Sequence, residues 1–329
     1  SLRFKNLRII LFDRLKGQFV FSKTHDASYS FLGVDTQTNP FQLPDTPQCR
    51  SFLSQMIADM IGDPEPNPAI EFAIDLIYKQ LKKDERSIDA GLSAFAPSSE
   101  HEKDVEKALR SYKTGGKYGN YFNAKRDSLD FESTRIIGFN MDAIIDDSKI
   151  LGIMLNYIFF RIRLMAMPSE GNEPKPHIIF VDELPKLLES EAFARRVKET
   201  VLEERKLDGV FIGAAQTPQS ITDHPIGKTI LGSFANFIFF PDALADEKTL
   251  KADYQLSQTE IDWIKRSGEI RKILFKRNGG ESVILNIDLA ALDEYLKCFT
   301  SSGQYVSKVE TLLKTYKPNW KKEFLCSEN

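Results

Sequence analysis

Apolar residues in this chain follow two rhythms. Short unbroken runs stand at Leu7–Phe12 (LRIILF), Arg135–Asn140 (RIIGFN), His177–Val181 (HIIFV), Gly209–Ala215 (GVFIGAA) and Asn236–Phe240 (NFIFF). Each is rich in Ile, Val and Phe and apolar throughout rather than at alternate positions. That is the pattern of a parallel-sheet strand covered on both faces. Helical spacing intervenes, with a long helix expected from about 142 to 167 and another near 186–206. Strands alternating with helices predict an α/β domain on a mainly parallel sheet.

Two stretches depart from that alternation. Residues 33–47 (GVDTQTNPFQLPDTP) are rich in turn formers and read as a loop. From 48 to 130 the spacing is helical at 48–62, 67–83 and 100–113, broken by DPEPNP and FAPSSE, with no strong strand. This predicts an all-helical insertion. Near the end, Ile270–Phe275 and Ser282–Ile287 flank Asn278-Gly279-Gly280 and read as an antiparallel hairpin. Helices near 289–298 and 304–316 follow. The expected units are therefore 1–47, first part of the core; 48–130, helical insertion; 131–300, remainder of the core; and 301–329, a helical tail. The most apolar stretch, Ile150–Phe160, is too short for a bilayer, which needs about 20 residues, so it reads as a buried helix.

Composition narrows the classes. Apolar residues at 42% and charged residues at 28% fit a folded globular chain rather than a disordered one. A formal net charge of −3 gives no bulk argument for nucleic acid as a partner. Cys49, Cys298 and Cys326 lie far apart, which suits neither a disulfide framework nor a zinc site and fits a reducing compartment. The chain opens Ser1-Leu2-Arg3 and reads as a piece of a longer protein.

The chemical signal is Ile178-Ile179-Phe180-Val181-Asp182-Glu183, a strand running into two adjacent carboxylates. Ligands bind at the carboxyl ends of parallel strands, and two acids there are costly without a cation. Magnesium bound to a nucleotide would supply one. Asp182 is then the residue for the Mg²⁺ shell and Glu183 the one that polarises the attacking water. Acids also favour the start of the next helix for electrostatic reasons alone. Gln216, at the tip of the following strand, either senses a γ-phosphate or orients water, or caps a turn. Arg205 and Arg271 are candidate arginine fingers reaching a neighbouring subunit's phosphate, or solvated surface residues. Asp13 and Arg14, ending the first strand, either lie near the nucleotide or pair within the chain. A phosphate cradle of the form GxxxxGK[ST] is missing. Gly227-Lys228-Thr229 has Thr222 where the first Gly belongs, Pro225 inside the would-be loop, and no strand leading in.

These residues resemble a known family. IIFVDELPKLL, EERKLDGVFIGAAQTPQSI, IGKTILGSFANFIFFPDALAD and LSQTEIDWI, with NPFQLPDT, GNYFNAKRDSLDF and IGFNMDAII before them, are similar in order to the type IV secretion and conjugal-transfer ATPases. This is the CagE/TrbE/VirB family of the HerA–FtsK superfamily. The resemblance covers about residues 10 to 300. It implies an α/β, RecA-like P-loop NTPase core with an all-helical insertion, and the cofactors ATP and Mg²⁺. It implies that Asp182 and Glu183 are the Walker B pair, that Gln216 is the polar residue after the next strand, and that Arg205 and Arg271 are the family's arginines. Its members self-associate as hexamers or dimers with other secretion components, on the cytoplasmic face of the bacterial inner membrane. They energise pilus assembly and movement of protein or DNA. The family's P-loop precedes the strand ending at Asp13-Arg14, so the expectation is a carboxyl-terminal ATPase domain lacking that segment and inactive alone. Two other readings stay open: a non-catalytic scaffold of the channel, and a DNA-translocating coupling ATPase of the same superfamily. Lys and Arg are otherwise dispersed among acids, but Lys314–Lys322 (KTYKPNWKK) is locally basic, better suited to a solvated or docking helix end than to DNA. Residues 48–130 are polar enough to be a partner surface.

Overall fold

The apolar runs become strands because they are short, rich in β-branched and aromatic residues, and uncharged in their middles. The computed structural model describes residues 6–63, 65–95, 97, 99–168, 175–266, 271–315 and 318–326; the side chains of His101, Ala192 and Arg205 are not described. The chain begins with β1 (Arg8–Asp13), α1 (Phe19–Thr24) and β2 (Ser28–Phe31). Helices α2 (Pro47–Ile61), α3 (Pro68–Gln80), α4 (Ile88–Ala94), α5 (Glu100–Leu109) and α6 (Gly119–Phe122) follow without a strand among them. Then come β3 (Ile136–Asn140), α7 (Ser148–Ala166), β4 (His177–Val181), α8 (Leu184–Leu188), α9 (Glu191–Glu203) and β5 (Gly209–Gly213). Next are α10 (Pro218–Thr222), α11 (Gly227–Ser233), β6 (Asn236–Phe239), α12 (Glu247–Ala252) and α13 (Gln258–Ile264). The hairpin β7 (Lys272–Arg277) and β8 (Ser282–Asn286), then α14 (Gly303–Thr315) and α15 (Trp320–Cys326), complete the order.

One sheet has five parallel strands in the order β2-β3-β1-β4-β5; the other has three antiparallel strands, β6-β7-β8. The run NFIFF therefore leaves the parallel sheet to which its apolar pattern assigned it. Asn278 is the reason: its backbone N–H donates to Ala235 O at 2.9 Å and its side-chain amide to Phe234 O at 2.9 Å, fastening the hairpin turn to the entrance of β6.

Helix boundaries follow their caps. Thr46 accepts from Cys49 N ahead of α2, and Gly62, at φ 81°, ends that helix in the left-handed region. The long helix begins at Ser148 rather than near 142, because Asp147 caps it through Ile150 N. The expected 186–206 helix is two, since Ser190 caps α9 afresh.

Helix α7 joins the layers. Phe159 packs against Phe12 of the sheet at 5.1 Å between ring centroids and edge-on against Phe193 of α9 at 5.1 Å. On its other side Phe160 stacks on Phe52 of α2 at 3.8 Å. The buried cluster runs unbroken from the sheet through α7 into the helices between β2 and β3. A second cluster joins Phe19, Val20 and Tyr29 to Val309 of α14 and Trp320 and Phe324 of α15. Lys16 reinforces it through a 2.6 Å ion pair with Glu310. Among the described residues no helix is long and apolar enough to cross a membrane. The parallel sheet is not covered on both faces throughout: on β5 Phe211 is buried, whereas Val210 is 51% and Ile212 42% exposed.

Removing the Phe159 ring empties the meeting point of three elements, so Phe159→Ala should cost about 3–5 kcal/mol in urea unfolding. Phe72→Ala, at a ring 63% exposed, should stay within about 0.5 kcal/mol. Equal effects would contradict this assignment of the core.

Candidate functional site

The carboxyl ends of β1, β4 and β5 share one edge because β1 pairs in parallel with β4, and β4 with β5. Phe12 stands opposite Val181, so Asp13 and Asp182 follow at the same level on neighbouring strands. Asp182 N donates to Phe12 O at 2.9 Å, carrying the ladder one step past the strand.

The two carboxyl groups meet different surroundings. Asp13 is fully buried. Tyr29 Oη donates to its Oδ1 and Oδ2 at 2.8 and 2.9 Å, and Gln18 N to Oδ2 at 2.5 Å. Burial outweighs these donors and, with the charges of Asp142 and Asp182, pushes its pKa up to about 6. Asp182 is partly buried, and desolvation again raises its pKa. The Glu183 N–H donating to its Oδ1 at 3.0 Å lowers it, and the neighbouring Glu183 charge raises it.

Glu183 has a left-handed backbone, φ 53°, unusual for a residue with a side chain. It stands at the cap of α8, and Leu184 N bonds Ala214 O at 2.9 Å, tying the turn to the end of β5. Gln216 Nε2 then donates to Glu183 Oε1 at 2.7 Å in an exposed position. Asp182, Glu183 and Gln216 thus share one mouth, with Asp13 buried beside it. Among the described residues no ion pair engages Asp182 or Glu183. Their hard carboxylate oxygens suit a divalent cation, whose charge would offset the desolvation that raises the pKa of Asp182.

Other expected residues lie elsewhere. Arg14 is half-buried at the same edge, and its Nε is buried with no hydrogen-bond partner. Arg271 is exposed one residue before β7, in the second sheet, and no hydrogen bond or ion pair among the described residues joins it to Asp182 or Glu183. The side chain of Arg205 lies outside the described residues, but its backbone turn is at the opposite end of the sheet. There Glu204 Oε2 lies 2.6 Å from Nε2 of His177, the first residue of β4. Burial opposes protonation of His177 and the Glu204 carboxylate favours it, with the pKa raised on balance, so the contact is ionic when the ring is protonated. Lys228 of the GKT tripeptide sits in α11 and pairs with Asp253 at 2.8 Å, away from any strand-to-helix phosphate loop.

Sequence reasoning missed Tyr29, Asn140 and Asp142. Asn140 ends the parallel strand β3 and Asp142 lies two residues beyond it; Asn140 Nδ2 donates to Asp142 Oδ2 at 2.9 Å, and Leu15 N to Asp142 Oδ1 at 2.9 Å. Reading the last residues of every apolar run would have found them. Tyr29 offered no such signal, because its partner becomes visible only in the fold.

No family model matches the chain. Against curated proteins it is 24% identical over 327 residues to the type IV secretion system protein virB4 of Bartonella henselae, covering 96% of this chain and 40% of that protein. Other curated proteins it is similar to are VirB4 of Agrobacterium fabrum, 25% identical over 97% of this chain, and PtlC of Bordetella pertussis, 22% identical over 93%. The chain spans about 40% of the length of the Bartonella relative. Among solved structures, VirB4 of Thermoanaerobacter pseudethanolicus aligns with a TM-score of 0.63 at 13% identity, over 85% of this chain and 81% of that one. The plasmid coupling protein TrwB, in complex with the non-hydrolysable ATP analogue ADPNP, aligns with a TM-score of 0.56 at 9% identity, over 86% and 78%. The fold is thus the P-loop NTPase fold of VirB4 and TrwB, as the sequence resemblance implied.

The buried carboxyl gives a pH test. An acid whose folded pKa is raised contributes stability that is complete below its unfolded value, 3.8, and lost as pH rises through about 6. Stability should therefore fall by about 3 kcal/mol across that window on account of Asp13, since each pKa unit is about 1.4 kcal/mol. Carboxyl NMR should find a midpoint near 6, moved higher in Tyr29→Phe, which removes a donor to the charged form. A midpoint near 4 would contradict this environment.

Proposed function

We propose that Asp182, Glu183 and Gln216 form the Mg²⁺-ATP face of an ATPase site in a type IV secretion motor. The phosphate cradle would be completed by chain outside these 329 residues. The observation that carries this reading is the 2.7 Å hydrogen bond from Gln216 to Glu183 directly beside Asp182, at the carboxyl edge of a parallel sheet. The VirB4 relatives support the secretion setting, and TrwB, with its ATP analogue, supports nucleotide binding by this fold.

Asp182 would hold Mg²⁺, which when bound would supply charge neutralisation at the nucleotide's phosphates. Glu183, with Oε1 already taken by Gln216, turns its other oxygen to the water that attacks the γ-phosphorus as the bond to ADP breaks. Gln216 holds the carboxylate in register and can read the γ-phosphate through its amide. Asp13 acts indirectly, by holding the Arg14–Gln18 turn, while Arg14 offers a cationic edge to phosphate. Arg205, at the far end of the sheet, fits a role only on a neighbouring subunit's nucleotide, as does the exposed Arg271. Either role would require self-association, as a ring or a dimer, and the secretion setting of the VirB4 relatives supports placing the protein with other secretion components on the cytoplasmic face of the inner membrane. Residues 48–130 are a candidate partner surface, but their core continues into the sheet, so surface substitutions test it better than deletion.

In the complete gene product, Glu183→Gln should leave ATP binding within about twofold and lower turnover by about 10²–10⁴-fold, the usual range for a lost proton-handling group. Unchanged turnover, or absence of any ATPase in the parent protein, would favour a non-catalytic scaffold.

A further inference from the structure

The two oxygens of Asp182 are not equivalent. Oδ1 accepts from the Glu183 N–H at 3.0 Å, whereas among the described residues no hydrogen bond or ion pair engages Oδ2. The turn after β1 borders that free oxygen. A Cβ placed on Gly17 would stand 3.9 Å from Asp182 Oδ2 and 3.3 Å from Arg14 O.

The backbone does not explain a glycine at 17. Leu15, at φ 53°, and Lys16, at φ 58°, occupy the left-handed region that favours glycine, yet both carry side chains. Gly17 itself lies outside that region. What glycine supplies there is empty space beside Asp182 Oδ2. Mg²⁺ keeps several of its waters when a carboxylate holds it, and those waters need room. A methyl group in van der Waals contact with Oδ2 would take it.

The turn is held in place from several sides. Gln18 N donates to Asp13 Oδ2 at 2.5 Å, Gly17 N to Arg14 O at 3.0 Å, and Leu15 N to Asp142 Oδ1 at 2.9 Å. Left-handed residues with side chains persist only where their surroundings hold them. Asp142 is itself anchored. Its Oδ2 accepts from Asn140 Nδ2 at 2.9 Å, and its N–H donates to Asn140 Oδ1 at 3.2 Å. Asn140 is buried at the end of β3, opposite Asp13. Strand β3 thereby reaches past β1 to steady the turn that faces the acid of β4.

We propose that Gly17 and Asp142 are positioning residues for the cation face of Asp182. Gly17 keeps room at Oδ2 for a divalent ion and its waters, and Asp142 clamps the turn that carries Gly17. This rests on the reading of Asp182 as the residue that holds Mg²⁺.

The test is Mn²⁺ binding to the complete gene product with a non-hydrolysable ATP analogue, followed by electron paramagnetic resonance. Mn²⁺ takes the same hard oxygen donors, and no turnover is needed. Gly17→Ala should weaken Mn²⁺ binding by at least about 10-fold, the lower end of the loss when support around a metal ligand fails. Its urea midpoint should not change. Gly232→Ala, with nothing within 4 Å of the added methyl, controls for the substitution itself. Asp142→Ala should weaken binding by a similar factor. Asp142→Asn, which keeps an oxygen for the Leu15 N–H, should recover most of that loss. Both variants lose the same charge, so their difference isolates the clamp and decides the matter if the Gly17 methyl also lowers the urea midpoint. Unchanged Mn²⁺ affinity in Gly17→Ala, where Asp182→Ala abolishes it, would overturn the role of Gly17 and leave the Mg²⁺ reading standing. Equal losses in Asp142→Ala and Asp142→Asn would overturn the clamp. Mn²⁺ bound equally by the parent and Asp182→Ala would overturn both the proposal and that reading.

Discussion

Two carboxyl groups at the ends of neighbouring buried strands set the terms for the rest of the molecule. Pairing Phe12 with Val181 delivers Asp13 and Asp182 to one edge, where burial raises both pKa values, helped at Asp13 by the charges of Asp142 and Asp182 and at Asp182 by that of Glu183. Asp13 is satisfied from within, by Tyr29 and the Gln18 N–H. Asp182 receives one backbone donor, from Glu183, and remains half open. One carboxyl thereby becomes part of the scaffold and its neighbour stays available to a cation. The difference comes from donors supplied by other segments, not from the residue type.

Tyr29 extends that division across the fold. Its hydroxyl serves Asp13, while its ring belongs to the second apolar cluster with Trp320 and Phe324. The last helices thus support the wall of the candidate site without approaching Asp182. On the other side Leu184 N and Gln216 tie the Glu183 turn to β5. Glu183 is held by the least covered strand of the parallel sheet, so its orientation is sensitive to whatever completes that edge.

Much of this was legible in the sequence, because apolar runs ending in acids obey local rules. The strands leading to Asp13 and Asp182 and the hairpin at Asn278-Gly279 required only period, turn chemistry and strand-end logic; the hydrogen bond from Gln216 to Glu183 is a tertiary contact that the pattern did not show. The parallel sheet and the P-loop NTPase fold were expected from the ordered motifs. The four-residue strand Ser28–Phe31 was not, being too short and too polar for its pattern to stand out. The run NFIFF went to the wrong sheet because apolar content reports burial, whereas the Asn278 contacts that recruit it are tertiary. Coverage on both faces failed at β5 for a related reason: a pattern records what a strand needs covered, not where the cover comes from.

The most direct test is a structure of the complete gene product with Mg²⁺ and a non-hydrolysable ATP analogue. The expected result is Mg²⁺ held through water by the Asp182 carboxylate, with the γ-phosphate facing Glu183 and Gln216. A nucleotide bound elsewhere, leaving Asp182 and Glu183 in bulk solvent, would contradict it.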